Sequence, residues 1–353
     1  MMLKKNRLVN ISLVVLSFFA FNCYAFAAPA LWKQDYQVNI TKGLQYLHSV
    51  QNKDGGFSPR EGRPSDRTTT LWVMMALSSV GENVTSNNWK PKGQSPLDYV
   101  MKSKETLKTT CDYARLLLAL TTAQQSTVYQ GTNLVQKITS FQQKNGQFGQ
   151  PAQQETGAIN VHIWSILALA SAGEKIPNQE LAKQWLLDRQ NKDGGFGWFE
   201  GVDSDADDTG AALQALTVLG ENQSNSLAMQ KAVTYLKTCQ GKDGGFNSGW
   251  MGDKSNSATD AWVIQGLVAA GIDPAAKEWS VNGKNVLTHL LGLQKEKGFF
   301  SWTAETPSSK VLVTAYSLLA LSGNPHPVNG GKYVDPVVKK STVQKTVPKK
   351  GTK

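Results

Sequence analysis

Two kinds of apolar pattern alternate along the chain, and both have the period of an α-helix. In the first kind the apolar residues form a single stripe, as in residues 40–50, 96–104, 178–189, 227–238 and 284–293. In the second kind the segment is apolar almost all round, as in residues 71–77, 110–120, 159–170, 211–219, 261–270 and 311–321. A one-striped helix covers a core, whereas a helix apolar on every side is buried within it. The alternation predicts six outer and six inner helices.

A turn signature separates the two kinds of segment. Residues 51–57, 190–196 and 240–246 share the pattern Gln-x-Lys-Asp-Gly-Gly-Phe, and degenerate copies begin at Gln143 and Gln294. The glycine pair permits the positive φ that ends a helix, and the glutamine side chain can bond the exposed backbone groups of the turn. The phenylalanine is expected to pack between neighbouring repeats. The signature therefore marks repeats of about 50 residues.

These repeats predict an all-α fold, a single α6/α6 toroid spanning residues 29–325. An open helical solenoid is the alternative, but it would expose an apolar face at each end. Closure of the ring buries both faces. The two cysteines of this region, Cys111 and Cys239, then fall on opposite sides of the ring. We expect them not to pair.

The two ends of the chain carry most of its net charge of +10. Residues 1–28 combine a basic start, a short apolar core and an Ala-Phe-Ala cleavage site, which predicts a signal peptide and a secreted or extracytoplasmic protein. Residues 326–353 are Lys-rich without periodicity and predict a disordered tail that could associate with an anionic envelope surface. Because the body is nearly neutral, the charge gives no support to nucleic-acid binding.

Carboxylates recur where the inner helices begin. Parallel inner helices gather their N-termini at one mouth of the ring, and five of the six predicted starts carry Asp or Glu. The simplest explanation is capping, because a side-chain oxygen at this position accepts an orphan backbone N–H and complements the helix dipole. The alternative is a ligand site at the mouth, with these candidates: Asp66, Thr68, Asp112, Glu155, Thr209, Asp260 and Trp262.

One helix start has more acid than a cap requires. Residues 205–210 read Asp-Ala-Asp-Asp-Thr-Gly, with three carboxylates in four positions. Like charges crowded near a poorly solvated cavity raise one another's pKa, so one of them can stay protonated at neutral pH. This segment is the strongest candidate for chemistry in the chain.

The turn signature resembles the QW-type repeat of squalene–hopene cyclases, within the terpenoid cyclase and prenyltransferase superfamily. The Asp-rich start is similar to the D-x-D-D-T-A motif of class II terpene cyclases, with Gly210 in place of the alanine. The resemblance implies protonation-initiated cyclisation of an isoprenoid, in which Asp207 donates the proton and Asp205 and Asp208 tune it. Aromatic residues, at 9% of the chain, show no enrichment that would suit a carbocation.

Two other functions fit parts of the same pattern. The repeat is also similar to the helical domain of transcobalamin and intrinsic factor, which implies a non-catalytic protein that binds a corrinoid or another bulky amphiphile at the mouth. Glycan hydrolysis is a further alternative, since paired carboxylates on an α6/α6 toroid suit glycosidases. The predicted ligand is an apolar or amphiphilic small molecule in the toroid mouth. No cofactor is predicted, and no metal site, because the histidines and cysteines lack ligand spacing.

Overall fold

The computed structural model describes residues 36–149, 157–249 and 254–328. These residues form twelve α-helices, which run in chain order as α1 Gln37–Val50, α2 Arg67–Ser79, α3 Pro96–Lys102, α4 Thr110–Thr122, α5 Leu134–Thr139, α6 Ile159–Ser171, α7 Gln179–Leu187, α8 Ala206–Val218, α9 Leu227–Thr238, α10 Ser257–Ala269, α11 Val286–Gly292 and α12 Lys310–Leu321. Two short antiparallel strands, β1 Val128–Tyr129 and β2 Thr132–Asn133, precede α5. Short 3-10 helices lie at Asn87–Trp89 and Lys277–Trp279.

The even-numbered helices form a closed inner ring. Each packs against the next in the order α2, α4, α6, α8, α10 and α12, and α12 packs back against α2. The odd-numbered helices lie outside, where α1 contacts α12 and each of the others contacts an inner neighbour. The predicted all-α toroid with six outer and six inner helices is confirmed, and the open solenoid is excluded because the first and last repeats meet.

The burial of the helices follows the apolar pattern of the sequence. In α2, 12 of 13 residues are buried, whereas in the outer helix α1 only 4 of 14 are buried, along one stripe. The inner ring is therefore enclosed both by its own neighbours and by the outer layer. Since each inner helix is buried on nearly all sides, its sequence has little freedom to be polar except at its two ends.

The glutamine of each turn ties one repeat to the next. Gln190 Nε2 donates to Gly194 O at 2.8 Å in its own turn and to Ala228 O at 2.7 Å, beside the start of α9. Gln294 makes the same pair of bonds to Gly298 O at 3.0 Å and Asn39 O at 2.8 Å, which closes the ring between the last repeat and the first. The remaining bridges come from Gln51, Gln142 and Gln240. In the degenerate turn at residues 143–148, the sequence pattern predicts Gln143 as the bridging residue. The structure shows that Gln142 forms the bridge instead.

The first glycine of the turn is required for two reasons at Gly194. Its φ of 91° lies in the left-handed region, and a Cβ there would stand 2.8 Å from Lys231 O in the next outer helix. A side chain would therefore be strained and would also push the repeats apart. The turn phenylalanines fill the space beneath, and all five are fully buried: Phe57, Phe148, Phe196, Phe246 and Phe300.

The chain continues past α12 into a segment that belongs to the fold. His326 and Val328 are almost completely buried, so the boundary predicted at residue 325 is too early by at least three residues. The predicted signal peptide and the rest of the basic tail lie outside the described residues. Within the described part of the chain, no helix is long and apolar enough to cross a membrane. Cys111 and Cys239 are not joined in a disulfide, as expected.

Candidate active site

Aromatic side chains from four inner helices meet at the centre of the ring. Trp72 of α2 lies 5.6 Å from both Trp164 of α6 and Trp262 of α10, measured between ring centroids, and 5.0 Å from Tyr316 of α12. Trp164 and Trp262 are 5.5 Å apart. Because α2, α6 and α10 are not neighbours in the ring, their side chains can touch only across its axis. We call Trp72, Trp164, Trp262 and Tyr316 the central aromatic cluster.

The central aromatic cluster is not completely enclosed. Trp164, Trp262 and Tyr316 keep part of their surface exposed, although they lie at the middle of the molecule. The Arg115 guanidinium of α4 stands 5.9 Å from the Trp72 ring and 3.8 Å from the Asp112 carboxylate. The centre of the toroid is therefore packed with aromatic rings that keep part of their surface exposed, which the overall aromatic content of the sequence did not reveal.

The next turn of each helix towards the mouth carries mostly small or neutral side chains. In a helix, a residue four positions before another lies on the same face. By this rule one ring of residues stands above the aromatic level: Thr68, Cys111, Asn160, Asp207, Ala258 and Leu312. Among these six positions, Asp207 provides the only carboxyl group.

The surroundings of Asp207 favour the protonated form of its carboxyl group. Its Oδ1 is buried and has no hydrogen-bond partner among the described residues. Burial raises the pKa of Asp207 from its usual 3.8 to about 7, a hydrogen bond from the Thr259 hydroxyl opposes the rise, and the nearby Asp205 and Asp260 add to it. At neutral pH a large share of Asp207 therefore carries a proton, next to apolar space.

Asp205 and Asp208 form a pair behind Asp207. Asp205 is the N-cap of α8 and its Oδ1 accepts the Asp208 N–H at 2.7 Å. Burial, and then the charge of Asp205, raise the pKa of Asp208 well above its usual range. The two side chains are also hydrogen-bonded to each other, which adds to the rise in the pKa of Asp208. The three carboxyls of the Asp-rich start are thus together, but only Asp207 lies on the face that points to the axis.

Two of the predicted ligand-binding residues serve the turns instead. Thr209 is fully buried and its hydroxyl accepts the Phe196 N–H at 2.9 Å. Asp260 is also fully buried, where Oδ1 accepts the Phe246 N–H at 2.8 Å and Oδ2 lies 2.6 Å from Nδ1 of His289 on α11. In other repeats the N–H of the turn phenylalanine donates instead to the side chain of Thr70, His162 or Thr314. These side chains face the outer layer, so a ligand at the mouth does not reach them.

Two further candidates act as helix caps. Asp66 accepts the backbone N–H and the hydroxyl of Thr69, both at 2.8 Å. Asp112 accepts the Thr109 N–H at 2.9 Å in a capping box. Thr68 is exposed at the mouth, and Trp262 belongs to the central aromatic cluster. Glu155 lies outside the described residues.

The segment after α12 lies across the ends of the inner helices that are opposite to the mouth. Asn324 Nδ2 donates to Ser79 O at 3.3 Å and Thr122 Oγ1 donates to Val328 O at 3.2 Å, so the segment crosses the C-terminal ends of α2 and α4. The His326 N–H donates to Gln214 Oε1 at 2.7 Å. We call residues 322–328 the floor segment. Its His326 ring packs against three members of the central aromatic cluster and so covers them on this side.

The residues of the level below the mouth share one spacing from the mouth-facing positions. Adding four to each mouth-facing position gives Trp72, Arg115, Trp164, Trp262 and Tyr316, so helical spacing alone could have grouped them. His326 gave no such signal, because it follows the last helix in a region without periodicity. Among the described residues, no group of three or more His, Cys, Asp or Glu side chains is arranged to hold a metal ion.

The sequence pattern of a known domain covers most of this architecture. Residues 17–111 and 211–345, more than half of the chain, match the prenyltransferase alpha-alpha toroid domain. The chain belongs to this family. The match agrees with the closed ring of inner and outer helices, and its second part begins at residue 211, within α8 and just after the Asp-rich first turn.

Two curated relatives are terpenoid enzymes. Squalene–hopene cyclase of Zymomonas mobilis is 34% identical over 125 residues, which are 32% of this chain and 19% of that protein. Drimenyl diphosphate synthase of Streptomyces showdoensis is 29% identical over 152 residues, which are 42% of this chain and 27% of that protein. The chain therefore matches only about a fifth to a quarter of the length of these relatives.

Solved structures share the fold at low sequence identity. The type II terpene cyclase MstE of Scytonema, in complex with geranylgeranyl dihydroxybenzoate, superposes with a TM-score of 0.59 at 12% identity, over 81% of this chain and 96% of that one. The protein geranylgeranyltransferase-I of Candida albicans, complexed with GGPP, gives a TM-score of 0.50 at 14% identity, over 80% and 90% of the two chains. The protein thus has the fold of a type II terpene cyclase.

Proposed function

We propose that the protein cyclises an isoprenoid by protonating it at Asp207. The observation that carries the proposal is the position of Asp207, whose buried Oδ1 has no hydrogen-bond partner among the described residues and which lies one helical turn above the central aromatic cluster. Squalene–hopene cyclase and drimenyl diphosphate synthase among the relatives, and the type II cyclase fold, support the same chemistry. The substrate is an apolar or amphiphilic molecule that enters through the mouth.

The reaction begins with proton transfer from the Asp207 carboxyl to the substrate. Asp207 gives its proton to one carbon of a terminal double bond or to an epoxide oxygen, so a C–H or O–H bond forms and a carbocation develops at the neighbouring carbon. The high pKa of Asp207 keeps the proton in place until the substrate arrives. The faces of the central aromatic cluster then attract the cation as rings close.

Asp205 and Asp208 keep the acid in position. Asp205 caps α8 and fixes the first turn of this helix, which determines where the Asp207 side chain points. The charge of Asp205 lies close to Asp207 and adds to the rise in the pKa of Asp207 that burial causes. After proton donation, solvent at the mouth can return a proton to Asp207.

A corrinoid binder is less well supported by the structure. That alternative used the helix starts as ligand contacts, but Asp66 and Asp112 satisfy backbone groups of their own helices, and Asp260 is fully buried beneath the outer layer. No observation in the described residues favours glycan hydrolysis, since the carboxyls at the mouth do not flank an open cleft.

The test is turnover of squalene and of geranylgeranyl diphosphate in D₂O, with products identified by mass spectrometry. We expect one deuterium in each cyclised product, and at least a 100-fold loss of turnover in Asp207→Asn, the size typical of a general acid. Asp203→Asn removes an exposed carboxylate from the same loop and should turn over normally. A wild-type protein that converts neither substrate, or full activity in Asp207→Asn, would refute the proposal.

A further inference from the structure

Arg115 of α4 is a cation at the centre of the ring that the proposed reaction does not use. Its guanidinium lies 5.9 Å from the centroid of the Trp72 ring on α2, and its charge opposes the rise that burial causes in the pKa of Tyr316 on α12. The guanidinium therefore points towards the axis of the ring. Arg115 keeps 25% of its side chain exposed, and Asp112, which lies nearer the mouth on the same helix, keeps 26%. Exposed surface thus continues from the mouth to Arg115.

The hydrogen-bonding capacity of Arg115 is free. Among the described residues its guanidinium makes no hydrogen bond, and its ion pair with Asp112 Oδ1 is 3.8 Å long. The Asp112 carboxylate is held by its own helix start, where Oδ2 accepts the N–H groups of Lys108 at 3.0 Å and Thr109 at 2.9 Å. A guanidinium is always charged in proteins, and its planar fork fits two oxygens of one anion. Arg115 is therefore suited to bind an oxyanion.

The mouth has a polar half and an apolar half. Helices α2, α4 and α6 are consecutive in the ring and contribute polar groups that make no side-chain hydrogen bond among the described residues: the Thr68 hydroxyl, the Asn160 amide and, one turn lower, the Arg115 guanidinium. Helices α8, α10 and α12 form the other half, where the residues level with Asp207 are Ala258 and Leu312. A molecule with one anionic end and one apolar end matches this division.

A bound anion also removes a conflict between charges. In the proposed reaction a carbocation forms beside the central aromatic cluster, and the Arg115 cation faces the same rings. Like charges at this distance from bulk water repel each other. Asp112 offsets the charge of Arg115 only in part, because it stands 3.8 Å away on the side of the mouth. A substrate that brings a negative charge to Arg115 supplies the missing compensation, whereas a hydrocarbon does not.

We propose that Arg115 binds the anionic head group of the substrate, so that the substrate is an isoprenoid with a diphosphate or carboxylate head and not a neutral hydrocarbon. The inference rests on the proposed function and names the class of molecule on which it acts. The head group lies on the side of α4, within reach of the Asn160 amide, and the reacting double bond lies at Asp207 on the side of α8. Four helical residues rise about 6 Å, so the head group is bound about one turn below the level of Asp207.

The experiment measures equilibrium binding of geranylgeranyl diphosphate and of geranylgeranoic acid by titration calorimetry. We expect the wild type to bind one of these anions, and Arg115→Gln to bind it at least about tenfold more weakly, because a charge-assisted bidentate contact is lost. Arg115→Lys should recover part of the affinity, since it keeps the charge without the planar fork. The anion whose affinity depends on Arg115 identifies the head group as a diphosphate or a carboxylate.

Two controls separate the head group from other effects. Lys108→Gln removes an exposed cation just before α4 and should bind both anions as the wild type does. Geranylgeraniol has the same chain with a neutral head, so its affinity should be equal for the wild type and Arg115→Gln. Thermal unfolding checks that each variant is folded.

The outcomes distinguish this inference from the proposed function. Equal affinity of the wild type and Arg115→Gln for both anions, or no binding of either anion by the wild type, would overturn the role of Arg115. Turnover of squalene by the wild type would still support Asp207 as the acid in that case. Anion binding that depends on Arg115 without turnover of any isoprenoid would support the anion site and refute the cyclase proposal.

Discussion

Replacing Asp207 with asparagine should stabilise the protein at the pH where it destroys activity. Folding raises the pKa of this carboxyl from 3.8 to about 7, so above pH 7 the folded state holds a buried charge that the unfolded state holds in water. At about 1.4 kcal/mol per pH unit, the cost is about 4 kcal/mol. Because the side chain keeps some exposure and an asparagine amide needs its own partner, we expect a gain of about 2–4 kcal/mol.

The gain has a defined dependence on pH. Below about pH 4 both states carry the proton and the variant should match the wild type. Between about pH 4 and 7 the unfolded state binds fewer protons than the folded state, so wild-type stability falls and the difference grows. Above pH 7 it should be constant. Loss of the Asp207 charge also lowers the pKa of Asp208, which acts in the same direction.

The assay is urea unfolding at pH 4, 6 and 8, supported by thermal scans in which the gain at pH 8 corresponds to about 4–8 °C. Asp203→Asn serves as control for the loss of one negative charge, since that side chain is exposed. A variant that is less stable than the wild type at pH 8 would show that the carboxylate makes favourable contacts. A gain that does not change with pH would show that Asp207 is not the titrating group.

Two further predictions concern the repeats. Gln294→Met removes the bond that Gln294 Nε2 donates to Gly298 O in its own turn and the two bonds with Asn39 that cross the closure of the ring, so the free energy of unfolding in urea should fall by about 2–3 kcal/mol. Exposed Gln184→Met is the control, and equal stability of the two variants would contradict closure through this bridge. Gly194→Ala should lower the free energy of unfolding by at least about 1 kcal/mol more than Gly201→Ala, because both glycines have positive φ but only Gly194 lies against Lys231. Equal melting temperatures of the two variants would show that the close approach to Lys231 is relieved at no cost.

The ring was predictable because its cause is local. A helix that is apolar on all sides, such as residues 159–170, must lie in the interior. The recurring Gln and Gly-Gly of the turns indicate where one repeat contacts the next. In the degenerate turn the predicted bridging glutamine was wrong by one position. Gln142 and Gln143 are neighbours and either could form the bridge by sequence, so only the position of the acceptor Pro177 O selects Gln142.

The candidate site was predictable only in part. Three carboxylates in four positions exceed what a cap needs, which singled out Asp207 correctly as unusual in its first turn. The same logic grouped Asp260 with it, although one faces the axis and the other faces His289. Both residues lie in the first turn of an inner helix. Asp207 is the second residue of α8 and Asp260 is the fourth residue of α10, so their side chains project in different directions.

The sequence by itself determined the helices, their two classes of burial and the ring they form, because each follows from periodicity and from the chemistry of the turns. Only the tertiary structure decided which side chains meet at the centre of the ring. Trp72, Trp164 and Trp262 are distant in the chain and meet because the ring closes. His326 joins them because the floor segment folds back across the ring, and no local pattern encodes a contact whose partners lie on different helices.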